Sequence, residues 1–323
     1  MRAKIFVFSL FVLLSIILSL CTGSEGFSIH SVINALFVKG VDRVIFLNLR
    51  IPRVVVGFCV GGILSVSGAI LQALFKNPLV EPYTLGISGG AALGVVAGMV
   101  AEVSFVLWLP IAGFFGAFSV MTIVYIFSLQ RGFLALDKML LIGVMTSFIS
   151  SSLVLFVEAI VSPAKLSSIV YWMMGSLQWV SKEGLDVIII VSVLILIVSF
   201  GLSVSLNALS FGEEDAIHLG VDVEKTKRLV FVVASLATGL SVAFVGIIGF
   251  VGLVVPHFFR ITFGRDYRLL VPLSFFGGGS FLILCDAVAR SIVSPIELPV
   301  GVITGIIGGT TFIYVLSKNR SML

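Results

Sequence analysis

Three features of this sequence predict an all-α polytopic membrane protein of about ten transmembrane helices. Of its 323 residues, 59% are hydrophobic and only 11% are charged, and its mean hydropathy is +1.23. A water-soluble chain of this length is not so apolar. The apolar residues also fall in runs of about 17 to 25, the length of helix that crosses a hydrocarbon core, bounded by charges and prolines. The basic residues, finally, are unequally shared between alternate connections, as membrane orientation requires. The whole chain, 1–323, reads as one transmembrane domain. A net charge of +4 and a pI near 9.1 would suggest nucleic acid as partner in a soluble protein. Here the basic residues lie in short connections between apolar runs, so the bilayer is the expected partner and nucleic acid is not.

The first span, about residues 4–22, follows Arg2 and Lys4. It faintly echoes a lipoprotein signal, but Leu20 is a poor residue before such a cysteine as Cys21, and so many spans follow that an uncleaved membrane helix is expected. Arg50 and Arg53 bracket Pro52 at the start of the second span, about 52–75, where proline suits the first helical turn. Lys76, Asn77, Pro78, Glu81 and Pro82 break the chain before the third span, about 83–102. That helix is expected to align Gly86, Gly90, Gly94 and Gly98 in a ridge along one face for close helix packing.

Spans four and five follow at about 106–129 and 137–160. The fifth carries Thr146, Ser147, Ser150 and Ser151 on adjacent stripes of one face. Such hydroxyls either line a wet pathway or bond the carbonyl one turn earlier. Ser162 to Lys182, with Pro163 and the aromatics Tyr171, Trp172 and Trp179, is expected to hold a short helix at the membrane interface. A sixth span, about 184–206, leads to the polar stretch from Asn207 to Arg228, where two short helices broken near Gly220 are expected. Four further spans are placed at about 228–249, 250–264, 270–290 and 298–317, the eighth being the shortest. Asp286 and Arg290 stand four apart on the ninth and can pair. The tenth repeats the packing glycines with Gly301, Gly305 and Gly309.

An even number of spans puts both termini on one side. That side holds about 13 basic residues, including Lys76, Lys225, Lys227, Arg228, Arg265 and Arg320, against 7 opposite, among them Lys39, Arg50, Arg53 and Arg290. The termini are therefore expected in the cytoplasm. Cys21, Cys59 and Cys285 lack metal or redox spacing and are expected as free buried thiols. No metal site is expected.

Several ordered motifs together resemble a family. Arg50-Ile51-Pro52-Arg53, Asn77-Pro78-Leu79, Pro82 with Leu85-Gly86 and Gly89-Gly90-Ala91, Tyr171-Trp172-Met173-Met174-Gly175, Leu219-Gly220-Val221, Gly246 through His257 and Glu297-Leu298-Pro299-Val300-Gly301 look like the signature of FecCD permeases, the membrane subunits of iron-siderophore, haem and cobalamin ABC importers. The resemblance covers nearly the whole chain. It implies a homodimer, two separate ATPase subunits that bind ATP and magnesium, an extracytoplasmic binding protein and a place in the inner membrane. It also implies a surface at Arg50, Arg53 and Arg290 on which the binding protein docks. Coupling to the ATPase would fall to Gly212, Glu213, Ala216, Leu219, Gly220 and Val221, and the inner gate to the vicinity of Ala135, Leu136 and Asp137. Cobalamin permeases have small hydroxyl residues where this chain has Leu136 and Asp137, so gate chemistry does not carry over. The hydroxyl stripe of the fifth span would line part of the pathway. A ferric siderophore or haem is the expected cargo, with cobalamin or a metal oxyanion as alternatives.

Weak echoes between the halves, such as Gly62-Ile63-Leu64-Ser65-Val66 and Gly239-Leu240-Ser241-Val242, fit an inverted repeat. The chain has no GxxxxGK[ST] phosphate loop, so it is expected neither to hydrolyse ATP nor to act as an enzyme, and it needs no cofactor of its own. An ion-coupled transporter would keep an acidic group inside a span, whereas Glu81, Glu102, Glu158, Asp286 and Glu297 read as span ends. A membrane enzyme would gather polar catalytic groups near one surface, but Asp137, Lys138, His218 and His257 are scattered.

Overall fold

In the hydrocarbon core a backbone must satisfy its own polar groups, so an apolar chain of this kind folds as helices. The computed structural model describes residues 2–23, 26–27, 32, 40–103, 105, 107–178, 180–294 and 296–318. Trp179, Lys39 and Arg320 lie outside the described residues. The helices are α1 (Arg2–Cys21), α2 (Val41–Ile45), α3 (Ile51–Leu74), α4 (Ile87–Val100), α5 (Trp108–Ser128), α6 (Leu136–Ile160), α7 (Pro163–Met173), α8 (Lys182–Gly201), α9 (Ser203–Phe211), α10 (Glu213–His218), α11 (Val223–Val245), α12 (Val251–Phe263), α13 (Tyr267–Ser291) and α14 (Val300–Lys318). A π-helical turn, Phe46–Arg50, joins α2 to α3, and a 3-10 turn, Pro82–Leu85, precedes α4. Two short antiparallel pairs complete the described elements, Thr22–Gly23 with Gly26–Phe27 and Leu129–Gln130 with Phe133–Leu134.

Among the described residues, seven helices are long and apolar enough to cross a membrane, and three shorter apolar helices, within α4, α12 and α14, occupy the other expected spans. The ten expected spans therefore each find a helix. The two shortest, α4 and α12, have 14 and 13 residues. At 1.5 Å per residue each is roughly 20 Å long, too short for a core of about 30 Å. Both are half-helices, and both open from a residue in the left-handed region, Gly86 at φ 80° and Phe250 at φ 70°. Each follows a long helix after a break, α3 in one case and α11 in the other. This shared plan of long helix, break and half-helix supports the internal repeat.

Helix α3 is the centre of the fold, buried along almost its whole length and paired most extensively with α13. Small residues permit the approach. A Cβ on Gly61 would strike the Gly278 carbonyl, and one on Gly68 the Gly252 backbone. The expected glycine ridge on α4 is real from Gly90 onward and faces α5: a Cβ on Gly90 would lie 2.6 Å from the Gly116 carbonyl, and one on Gly98 3.0 Å from the Ala112 Cβ. Gly94 likewise faces Ala112. Gly86 departs from the expectation. It sits ahead of the helix as its left-handed cap and faces Gly143 and Thr146 of α6 instead. In α14 the expected ridge is broken: Gly301 packs on the Met174 carbonyl and Gly309 nears Phe250, but Gly305 has open space. Two different neighbours meet α14, the turn at Met174 at its start and Phe250 farther along, and Gly305 falls between them.

Lys4 donates to the Thr262 carbonyl at the end of α12, whereas Ser19 and Thr22 at the other end of α1 meet Arg290 at the end of α13. Helix α14 starts beside Met174 and Gly175 and runs back toward the Lys4 end. The first and last helices thus place the described termini at the same end of the bundle.

Candidate functional site

Two ends and a centre hold the polar groups. At the end away from the termini, the N-terminal turn of α3 aims Arg53 at the C-terminal part of α13. Its Nε and Nη2 donate to Asp286, the Nη2 contact at 2.8 Å, and its Nη1 donates to Glu297 at 2.8 Å. Asp286 also pairs with Arg290, Nε to Oδ2 at 3.1 Å, which realises the expected pairing one helical turn apart. The remaining guanidinium nitrogens of Arg290 donate to the Thr22 carbonyl (2.6 Å) and to Ser19. The side chains of Asp286 and Arg290 are 2% and 3% exposed, against 14% for Arg53 and 23% for Glu297. Two arginines and two carboxylates therefore neutralise each other, as buried charges must.

Glu297 is also met by the Gln178 amide. The Arg53–Glu297–Gln178 bridge separates two cavities. One, of about 450 Å³, is lined by Arg50, Arg53, Arg290 and Asp42; the other, of about 800 Å³, reaches Tyr171, Trp172 and Phe244. Arg50 faces the first cavity, donates to the Leu20 carbonyl at 3.2 Å and has no carboxylate partner among the described residues. Nearby, Lys165 and Glu102 pair at 2.5 Å and tie α7 to the segment after α4. Helix α7 itself fulfils the expectation of a short helix in the Ser162–Lys182 segment.

The centre is the meeting of the two breaks. Gln72 is buried and donates through its amide to the Gly252 and Leu253 carbonyls. The Tyr83 hydroxyl donates to the Ile248 carbonyl at 2.6 Å and accepts from the Ile248 N–H at 3.1 Å. Glu81 meets the Phe250 backbone, and its second oxygen is buried with no partner among the described residues. Side chains around the first break thus supply hydrogen bonds that the unwound Gly246–Phe250 segment cannot make for itself. Reading Glu81 as a span end missed this: it lies buried between the half-helices, because the breaks carry loop residues into the protein interior, whereas Asp286 does stand near the end of its span.

The terminal end holds the loop assigned to coupling. The expected break at Gly220 is instead at Gly212, whose φ of 155° separates α9 from α10; Gly220, at φ 81°, ends α10. The Val221 N–H returns to the Ala216 carbonyl and the Gly220 N–H to Ile217, a glycine-terminated cap. Ala216 is buried, and Lys227 pairs with Glu213 at 2.8 Å and Glu224 at 3.1 Å, fixing α10 on α11. Three apolar side chains project beside the exposed Glu214, Asp215 and His218: Phe211 is 75% exposed and Leu219 67%, with Ile217 also exposed.

The Leu129–Leu134 hairpin sits at this end too, held by Leu134 N–H to Glu224 and Arg228 to the Gly132 carbonyl. It leads into Ala135, the cap of α6, with Leu136 half-buried and Asp137 exposed in the first turn. On α6, Thr146 and Ser147 bond back to the Gly143 carbonyl, while Ser150 is buried against Gly89. Those three hydroxyls serve the α4–α6 contact in this conformation, and only Ser151 of the stripe is exposed. Cys21, Cys59 and Cys285 are free and buried.

An apolar ten-span bundle with paired half-helices, a charged quartet at one end and an apolar-tipped loop at the other is a transporter architecture. Residues 11–318 match the model of the FecCD transport family. The chain belongs to the FecCD family. Three curated relatives agree. The cobalamin import permease BtuC of Halobacterium salinarum is 39% identical over 86% of this chain and 75% of its own length. The hemin transport permease HmuU of Yersinia pestis is 38% identical over 85% and 84%. The vitamin B12 import permease BtuC of Klebsiella pneumoniae is 35% identical over 99% and 95%. A solved structure described as an inward-facing conformation of a metal-chelate type ABC transporter superposes with a TM-score of 0.89 at 30% identity, covering 98% of this chain and all of that one. As a FecCD protein the chain is a multi-pass membrane permease of an ABC importer, a transport component.

Proposed function

We propose that this permease carries an iron chelate, a ferric siderophore or haem, across the cytoplasmic membrane as a homodimer driven by two ATPase subunits and fed by an extracytoplasmic binding protein. The observation that carries the partner assignment is the contrast between the two ends of the bundle. Phe211, Ile217 and Leu219 are exposed at the tip of α9–α10 on a loop braced by Lys227, which suits insertion into a groove of another protein. The arginine end suits an acidic partner, with Arg50 lacking a carboxylate among the described residues. The excess of basic residues on the terminal side supports a cytoplasmic location for both termini and for the coupling loop. ATP and magnesium belong to the ATPase. Domain closure there would be transmitted through α9–α10 to the bundle and its gate region near Ala135. Ser151, the exposed hydroxyl of its stripe, is the one proposed to line the pathway.

The names of the relatives favour a second reading of the cargo, cobalamin, by the same route. The test is to co-express the chain with its ATPase, reconstitute the complex in liposomes, and follow ATP hydrolysis and uptake of haem, a ferric siderophore and cobalamin with the matching binding proteins. A stable two-plus-two complex stimulated by one loaded binding protein is expected and identifies the cargo. A chain that purifies alone, ignores the ATPase and moves solute down an ion gradient would overturn the reading.

A further inference from the structure

The arginine end contains its own acid. Arg53 has five guanidinium N–H groups. Asp286 takes one edge of the guanidinium through Nε and Nη2, and Glu297 takes the Nη1 corner at 2.8 Å. Asp286 is locked: it is buried, shared with Arg290, and held on a rigid helix. Glu297 is neither so buried nor on a helix. It is the most exposed of the four and lies in the segment between α13 and α14, facing both cavities. Glu297 therefore holds the Nη1 corner of Arg53 on the side of the two cavities, and a carboxylate arriving there from outside must take its place.

We infer that Glu297 is an internal counter-ion that competes with the carboxylate of an acidic protein partner for Arg53, so that docking displaces it. This rests on the reading of the arginine end as the docking surface for a binding protein. The displacement has a route inward. Next to Glu297, the Leu298 N–H bonds the Ala289 carbonyl, and the Val300 and Gly301 N–H groups bond the Gly175 and Met174 carbonyls. The same turn meets the break after α11, where the Ser176 N–H donates to the Val245 carbonyl at 2.8 Å and Gly246 lies against Trp172. Glu297 is thus joined, through one shared turn at residues 172–176, to both the start of α14 and the unwound segment before α12. Moving it shifts the residues that hold the break.

The charge sign makes the inference testable without loss of the fold, because Glu297→Gln keeps the shape of the side chain and leaves Asp286 paired with both arginines. The affinity of the matching substrate-binding protein is measured on the complex in nanodiscs for five forms: wild type, Glu297→Gln, Arg50→Gln, Arg53→Gln, and Arg53→Gln with Glu297→Gln together. The expected result is about fivefold tighter binding for Glu297→Gln at low salt, shrinking as salt rises. Arg50→Gln is expected to weaken binding about threefold. On the Arg53→Gln background Glu297→Gln brings no gain over Arg53→Gln alone, which a merely structural role for Glu297 would not produce. If Arg50→Gln weakens binding but Glu297→Gln leaves it unchanged or weaker, the competition is overturned and the docking surface stands. If neither arginine change affects binding, the docking surface itself is wrong and the competition falls with it. Hydrogen exchange at residues 298–301 gives a second readout: faster exchange in Glu297→Gln is expected, and unchanged exchange overturns the inward route.

Discussion

The two ends of the bundle treat their side chains in opposite ways. At one end Arg53, Arg290, Asp286 and Glu297 turn toward each other and bury their charge, while at the other Phe211, Ile217 and Leu219 turn apolar surface outward. The first arrangement ties helices remote in sequence, α1, α3 and α13, into one junction. The second ties nothing and is available to a partner. Polar residues at a protein surface are usually the accessible ones and apolar residues the structural ones. In this molecule the named residues reverse that assignment at each end, so stability and partner binding there respond to different mutations than residue type suggests.

Removing Arg53 is the most direct way to break that comparison. Arg53→Ala strips Asp286 of its bidentate partner and Glu297 of its arginine, leaving two carboxylates to Arg290 alone in a largely buried site, which costs about 3 kcal/mol. A large drop in the denaturation midpoint of the purified protein is expected. Leu219→Asp, at the other end, is expected to change stability by less than about 0.5 kcal/mol while reducing copurification with the ATPase at least about tenfold, the effect of a charge in an apolar groove. Equal destabilisation by the two would erase the distinction between the ends.

The centre gives the next largest effect. Gly68 and Gly252 touch backbone to backbone where α3 crosses the start of α12. Gly68→Val forces the helices apart and is expected to cost about 2–3 kcal/mol, as overpacking does. Gly305→Val, on α14, meets open space within the chain and is expected to be nearly neutral for the stability of the isolated subunit. If Gly305→Val instead abolishes a dimer seen by crosslinking while leaving the subunit folded, the open glycine face is sharpened into an interface. Tyr83→Phe removes the hydroxyl that both donates to and accepts from Ile248 and should cost about 1–2 kcal/mol.

The spans were legible in sequence because a bilayer imposes run length on every crossing helix, and all ten candidate runs are helices. The half-helices α4 and α12 were less so. Their breaks fall inside apolar sequence, and the left-handed residue that opens α12 is Phe250, where nothing in the residue type announces positive φ. Gly212 and Gly220 illustrate a finer limit. Either glycine can separate two short helices, and the difference was settled by Lys227, which reaches back 14 residues to Glu213 and fixes where α10 lies. The partners of Arg53 were hidden for a related reason: Asp286 and Glu297 lie 233 and 244 residues away, so their meeting depends on the crossing of α3 with α13, which is a tertiary fact. Of the expected hydroxyl stripe, spacing gave the face correctly and could not give what covers it.

The smallest effect tests the terminal end in the currency of pH. Asp266 caps α13 by accepting from the Arg268 N–H at 3.0 Å, and it also accepts from the Asn207 amide at 2.7 Å. The Asn207 hydrogen bond first, and the Arg268 N–H second, hold its carboxyl below the usual aspartate range. Because the folded form releases its proton more readily than the unfolded chain, the cap is fully effective above the unfolded aspartate pKa of about 3.9 and is lost as pH falls through the lower folded value. Asp266→Ala is therefore expected to cost about 1 kcal/mol at neutral pH, and the difference from wild type should close below about pH 4. Asn207→Ala leaves the Arg268 N–H on Asp266 but takes the acceptor from the Tyr267 N–H, which donates to Asn207 Oδ1 at 2.9 Å, and should cost a similar amount, about 1 kcal/mol. A difference between Asp266→Ala and wild type that persists unchanged at pH 3 would mean that packing of α9 against α13, and not the charged cap, holds this end together.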